Sequence, residues 1–173
     1  LRIRHKVKIK GGNNMVKLTI DGIQVEAEKG TSVLHAAESV GIKIPTLCYI
    51  KDLLPDGSCR MCMVEIESRG RTKMETACTA QVAEGLVVTT NSEKVRNARR
   101  NILDMLLSNH KTDCFSCPSN GDCKLQELCF EYGIERTTYS GEQTELPIDD
   151  SNKFFTYNPN LCILCHRCVN TCH

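Results

Sequence analysis

"VKLTIDGIQVEAEKGTSVLHAAESVG", Val16 to Gly41, carries two periodicities in succession. Val16, Leu18 and Ile20 alternate with polar residues, and Ile23, Val25 and Ala27 do so again after Asp21-Gly22. Period-two alternation across Asp-Gly is the strongest short hairpin signal, because both central residues of the turn need positive φ. From Thr31 the period lengthens. Thr31 or Ser32 can cap a helix, Val33, Ala37 and Val40 share one face, and Gly41 stops it. His35 lies within this helix with no cysteine nearby in sequence, so a surface or packing role is expected of it.

Further strands are expected at Met63–Glu67 and Leu86–Thr90. Hairpin, helix and then strands is an α+β order, and in so short a unit a β-grasp is the best match. "NSEKVRNARRNILDMLLSNH" reads as a second helix, with Ser92 as cap and a stripe of Val95, Ala98, Ile102 and Leu106. Arg96, Arg99 and Arg100 are assigned to its solvated face. Residues 134–156 are polar, with few apolar anchors, and read as a connection.

Composition bounds the possibilities. Hydrophobic residues make up 40% and charged residues 25%, as in globular chains. The net charge of +1 supplies no overall field toward nucleic acid or an anionic membrane. Aromatics are 5% with no Trp, which argues against an aromatic-rich core and against base stacking. No apolar run approaches the roughly 18 residues of a membrane span.

Residues 1–14 differ from the rest. "LRIRHKVKIK" alternates apolar and basic residues like an edge strand or a basic arm, and there is no secretory h-region. "KGGNNM" can be encoded by a bacterial-type ribosome-binding sequence ahead of the codon for Met15. The expectation is therefore a translated leader or disordered tail over 1–14, with the native start at Met15.

Twelve cysteines are the outlier. With no secretory signal, a reducing cytoplasm is expected, where clustered thiols bind metal more often than they pair. The first constellation is Cys48-x10-Cys59-x2-Cys62-x15-Cys78. Four thiolates suit Zn²⁺ or a 2Fe–2S cluster. Zinc ribbons favour two CxxC knuckles, and the single knuckle here, with two lone cysteines, favours the two-iron cluster.

The second is His110-x3-Cys114-x2-Cys117-x5-Cys123. Three thiolates and one imidazole can supply the four corners of a 4Fe–4S cube from one short loop. Cys129 is the alternative fourth ligand, but it shares a helical face with Leu125 and Leu128 and is assigned to burial. The third is Cys162-x2-Cys165-x2-Cys168-x3-Cys172, the bacterial ferredoxin run, in which three cysteines hold one cube and the fourth serves another. His173 stands where Pro is usual, and His166 is read as a spacer. The second run that would close both cubes is absent, so the sequence is expected to be a fragment of a longer protein.

"IPTLCYIKDLLPDGSCRMCMVEIE", "TACTAQVAEGLVVTT", "NHKTDCFSCPSNGDCKLQEL" and "LCILCHRCVNTC" together resemble the N-terminal iron–sulfur region shared by three relatives. These are the large iron–sulfur subunit of respiratory NADH dehydrogenase, the [FeFe]-hydrogenases and the NAD(P)-linked formate dehydrogenases. The resemblance runs from Met15 to the end. It implies a β-grasp ferredoxin-like domain over 15–92 with a 2Fe–2S cluster on Cys48, Cys59, Cys62 and Cys78. It implies a small helical domain over 93–133 with a 4Fe–4S cluster on His110, Cys114, Cys117 and Cys123. After a linker over 134–156, the truncated start of a two-cluster 4Fe–4S domain over 157–173 would use Cys162, Cys165, Cys168 and Cys172.

The implied function is electron transfer: single electrons relayed between a flavin/NAD(P) subunit and a downstream catalytic domain, with no catalytic centre in this segment. "CILCHRCVNTC" and "LPIDDSNKFF" lean toward formate dehydrogenase, with hydrogenase and NADH dehydrogenase as alternatives. A zinc-stabilised interaction module is the alternative of another class, and a stand-alone ferredoxin is disfavoured by the incomplete final run.

Overall fold

The computed structural model describes residues 14–139 and 145–172. The expected leader, the middle of the 134–156 connection and His173 lie outside the described residues. The elements are β1 (Met15–Ile20), β2 (Ile23–Glu28), α1 (Val33–Ser39), β3 (Met63–Ser68), β4 (Arg71–Thr76), β5 (Leu86–Thr89), α2 (Glu93–Ser108), α3 (Lys124–Glu131) and α4 (Arg167–Cys172). The fold is thus α+β.

The five strands form one sheet in the order β2-β1-β5-β3-β4. β1 and β2 pair antiparallel from Met15↔Glu28 to Ile20↔Ile23. Their turn has φ of 47° at Asp21 and 83° at Gly22, both positive as the Asp-Gly signal requires. The Asp21 carboxylate also accepts from the Thr90 backbone N–H at 2.7 Å and from the Thr90 hydroxyl. The hairpin tip is thereby fastened to the end of β5, which runs parallel to β1 with Leu18 opposite Leu86.

β4 went unrecognised in the sequence. Its side chains grade from exposed to half-buried without alternation, and its turn, Arg69-Gly70, lacks the usual Asn or Asp although both residues have positive φ. Pairing to β3 makes it a strand, not its own pattern.

α1 is capped by Ser32, whose Oγ accepts from the His35 N–H at 3.3 Å. Val33, Leu34, Ala36 and Ala37 are buried against the sheet, joining Ile20, Val64 and Val88 in the main core. The α1 N-terminus is pinned to the chain around Cys78: Val33 N–H donates to the Ala80 carbonyl at 2.8 Å and Leu34 N–H to the Ala77 carbonyl at 2.9 Å. His35 is exposed and paired with the Tyr49 hydroxyl, consistent with a surface role.

α2 starts at Ser92, whose Oγ accepts from Val95 N–H at 3.1 Å. Its buried residues are Val95, Arg99, Leu103 and Leu107, with Ile102 and Leu106 of the expected stripe partly buried beside them. The arginine face expected in solvent is thus corrected at Arg99, while Arg96 and Arg100 are exposed. Arg99 is only 3% exposed, because α2 is covered on one side by β3 and on another by the segment around α3. Arg100 reaches the Tyr132 carbonyl with Nη1 at 2.6 Å, and Arg96 remains exposed.

A second apolar cluster joins Leu103 and Leu107 of α2 to Leu125, Leu128, Cys129 and Tyr132 around α3. Leu47 and Met61, from the loops that carry Cys48, Cys59 and Cys62, lie in it too. The two cores therefore meet at the cysteine loops. Among the described residues, no helix is long and apolar enough to cross a membrane.

Candidate metal centres

Cys48, Cys59, Cys62 and Cys78 come from three loops, and backbone contacts bring those loops together. Gly57 enters the Cys59 loop at φ 68°, and a Cβ there would stand 3.1 Å from the Thr79 methyl group. That close approach lays the loop against the turn bearing Cys78. Arg60, between Cys59 and Cys62, also adopts positive φ, at 58°. Such a left-handed residue turns successive N–H groups inward, as anion-binding nests do. The Cys59 Sγ accepts from Met61 N–H at 3.5 Å and from Cys48 N–H at 3.4 Å. Ala77 N–H donates to the Cys62 carbonyl at 3.0 Å, setting Cys78 beside Cys62.

Burial is deep: Cys48, Cys62 and Cys78 expose 4%, 1% and 2%. The hydrogen bond from the Cys78 thiol holds Cys62 down at about 7, against burial and with help from the amides of Cys78, Cys62 and Ala77. Cys78 is driven well up by that same bond to Cys62, then by burial and by the charges of Cys62, Cys48 and Cys59. Burial pushes Cys59 up to about 11 despite the amides aimed at it. Cys59 and Cys78 thus resist ionisation on their own, whereas a cationic centre beside them reverses that balance. The donor set therefore fits a metal centre. None of the twelve cysteines is disulfide-bonded.

The second group lies between α2 and α3. His110 follows the end of α2, its N–H donating to the Leu107 carbonyl at 3.2 Å. Its Nδ1 is buried with no hydrogen-bond partner among the described residues, and burial lowers its proton affinity, which favours the neutral ring. A neutral imidazole with a hidden, unpartnered nitrogen is a form suited to metal ligation. Cys114 and Cys117 sit on consecutive turns, with Cys117 N–H donating to the Cys114 carbonyl at 3.3 Å. Cys123 occupies the N-cap of α3 without making a side-chain cap bond. Cys129 is 8% exposed in the second core; burial, then the charges of Cys123 and Cys114, push it up to about 11, so it packs as a neutral thiol near the loop.

Cys162, Cys165, Cys168 and Cys172 differ: three of them are exposed and Cys165 is half-buried. Leu164 and His166 adopt φ of 54° and 59°, and Leu164 N–H donates to the Cys162 Sγ at 3.4 Å. The run leans on the first site's loop. His166 Nδ1 lies 3.2 Å from the Asp56 carboxylate. A cavity of about 340 Å³ opens between Ser58–Arg60, Ile102 and Leu106 of α2, and Cys162–Leu164. Among the described residues, no three His, Cys, Asp or Glu side chains close around one point as a single ion requires.

Comparison with known proteins finds family matches over the regions that contain the first two groups. Residues 13–93 match the family of 2Fe-2S iron-sulfur cluster binding domains, and residues 99–138 match the iron-sulfur binding region of NADH-ubiquinone oxidoreductase-G. The chain is 42% identical over 160 residues to the NADH-quinone oxidoreductase G 2 subunit of Rhizobium meliloti (strain 1021), covering 91% of this chain and 18% of that protein. It is 38% identical over 165 residues to the NADP-reducing hydrogenase HndD subunit of Solidesulfovibrio fructosivorans, covering 92% and 28%. The crystal structure of an NAD+-reducing [NiFe]-hydrogenase superposes with a TM-score of 0.81 at 34% identity, covering 90% of this chain and 64% of that one. The chain is therefore a homologue of subunits of NAD(P)-linked oxidoreductases and hydrogenases, with one region that matches 2Fe–2S binding domains and another that matches an iron–sulfur binding region. It spans about a fifth to just over a quarter of those curated relatives.

Proposed function

We propose that this chain is an electron-relay segment of a larger oxidoreductase, holding a 2Fe–2S cluster on Cys48, Cys59, Cys62 and Cys78 and a 4Fe–4S cluster on His110, Cys114, Cys117 and Cys123. Cys162, Cys165 and Cys168 supply three ligands of a further cube, and Cys172 serves a neighbouring one. The observation that carries this reading is the buried Nδ1 of His110, without a partner among the described residues, at the foot of the Cys114–Cys123 loop, within a segment matching an iron–sulfur binding region.

When bound, the clusters supply the one-electron chemistry. The chain's residues supply the rest. Buried thiols exclude water, and amides of Met61, Cys48 and Leu164 donate to sulfur, a recognised means of setting cluster potential. The neutral His110 replaces an anionic ligand, so an added electron meets less negative charge and the potential of that cluster rises. The partners proposed are a flavin/NAD(P)-binding subunit on one side and a catalytic domain on the other, in the cytoplasm. The relatives named above are an NADH-quinone oxidoreductase and two hydrogenases, which favours those branches. The lean toward formate dehydrogenase rests on the motif resemblance alone.

The test is anaerobic purification of the full-length protein. A brown protein with acid-labile sulfide, broad visible absorbance and an EPR signal after reduction is expected. A colourless protein containing zinc would establish the interaction-module reading instead. His110→Ala should remove or destabilise one four-iron cluster and leave the two-iron EPR signal in place. Unchanged iron content and spectra in that variant would transfer the ligand role to Cys129 or water.

A further inference from the structure

Among the described residues, Arg99 is the one charged side chain that is buried, at 3% exposure. Its Nη1 donates to the Tyr132 hydroxyl at 3.0 Å and its Nη2 to the Met63 carbonyl at 2.7 Å, while Nε is buried with no partner. No carboxylate among the described residues forms an ion pair with it. Two acids of the elements that carry Arg99 and Met63, Asp104 on α2 and Glu65 on β3, are engaged elsewhere. Glu65 accepts from the Ser92 hydroxyl and lies 3.5 Å from Lys94, and Asp104 accepts from Thr137 and Thr138.

A guanidinium keeps its charge throughout the range in which proteins fold. Buried without a counter-anion, it is among the costliest groups a fold can carry. Its two acceptors show where a counter-charge would come from. Met63 follows Cys62 directly, at the start of β3. Tyr132 caps α3 and packs in the second core with Cys123 and Cys129. Arg99 thus bridges the residue that follows Cys62 and the residue that caps α3.

We propose that Arg99 is the buried counter-charge of the two thiolate-ligated centres, raising their reduction potentials and acting most strongly on the Cys48–Cys78 centre next to Met63. An electron from an external reductant adds negative charge to a centre without a proton, and a fixed cation in a low-dielectric layer stabilises the reduced form. Arg99 touches no ligand and acts through the field it sets up. This inference rests on the relay reading above.

The experiment is a mediated redox titration, followed by EPR, of the cluster-loaded full-length protein and its Arg99→Met, Arg99→Gln and Arg99→Lys variants. Each iron-free chain is melted in parallel. Met and Gln should lower the two-iron midpoint by at least the ~59 mV of a tenfold change in a one-electron equilibrium, and the four-iron midpoint by less. Lys should keep both midpoints close to wild type. The iron-free Met variant should melt no lower than wild type, because a desolvated charge has been removed. Unmoved midpoints in Met and Gln overturn the proposal, as does an equal fall in Lys. So does an iron-free Met variant that no longer folds, since the side chain would then be a structural clamp. Wild-type protein lacking iron and sulfide would sink the relay reading itself, whereas normal wild-type spectra with unmoved midpoints sink only the role of Arg99.

Discussion

The pocket of Cys48, Cys59, Cys62 and Cys78 and the run of Cys162 to Cys172 contain the same number of sulfurs under opposite conditions. In the pocket the thiols are drawn from loops far apart in sequence and held by a sheet with a core of its own. In the run they are neighbours in sequence, largely exposed, and fixed by local backbone turns and the short helix α4. Non-local sulfurs need a fold to assemble them. Local sulfurs need only a few left-handed residues, and the outcome is a site that the rest of the molecule does little to cover.

This contrast can be broken most visibly at the ligands. Cys78→Ser is expected to abolish nearly all of the two-iron EPR signal, because the other three sulfurs cannot close the site. Cys168→Ser is expected to leave that signal within error of wild type. Loss of the two-iron signal in Cys168→Ser would mean that the sites assemble as one unit.

Removal of iron by a chelator comes next. The sheet, α1 and their loops share a cluster of nineteen buried residues among those described, and the sheet should remain protected from amide exchange in β1 and β5. Residues 162–172 bury no side chain and should exchange at nearly unprotected rates. Equal protection in both regions would show that the run is a folded part without metal.

A backbone substitution sharpens the comparison further. Gly57→Ala combines a positive φ with a contact at 3.1 Å to Thr79, and should lower the melting stability of the iron-free chain by about 1–2 kcal/mol. A melting point unchanged from wild type would show that the loop is not preformed. The smallest effect is expected from Asp56→Ala. It removes a half-exposed contact with His166, and such pairs contribute about 0–1 kcal/mol. A larger loss would reveal that the outer run is anchored to the inner loop more firmly than its exposure indicates.

Legibility followed the distance over which each feature is determined. The Asp21-Gly22 hairpin, the Ser32 and Ser92 caps and the grouping of cysteines could be read directly, since turn and cap chemistry act within a few residues. β4 could not, because its side chains carry no alternation and only Met63↔Thr76 to Ser68↔Arg71 pairing defines it. The assignment of Arg99 to solvent failed for a related reason. A helical wheel shows which residues share a face, but α2 buries more than one face, and only its neighbours reveal that.

The sequence by itself determined the three thiol groups, the imidazole placed before the second, and the turn and cap residues that start each local element. Tertiary structure alone decided that Cys48 and Cys78 stand beside Cys59 and Cys62, that His110 hides a nitrogen with no partner among the described residues, and that the Arg99 guanidinium is buried against Met63 and Tyr132. The reason is physical. Chain connectivity fixes local spacing, whereas burial and the fields it strengthens depend on which distant segments exclude water together.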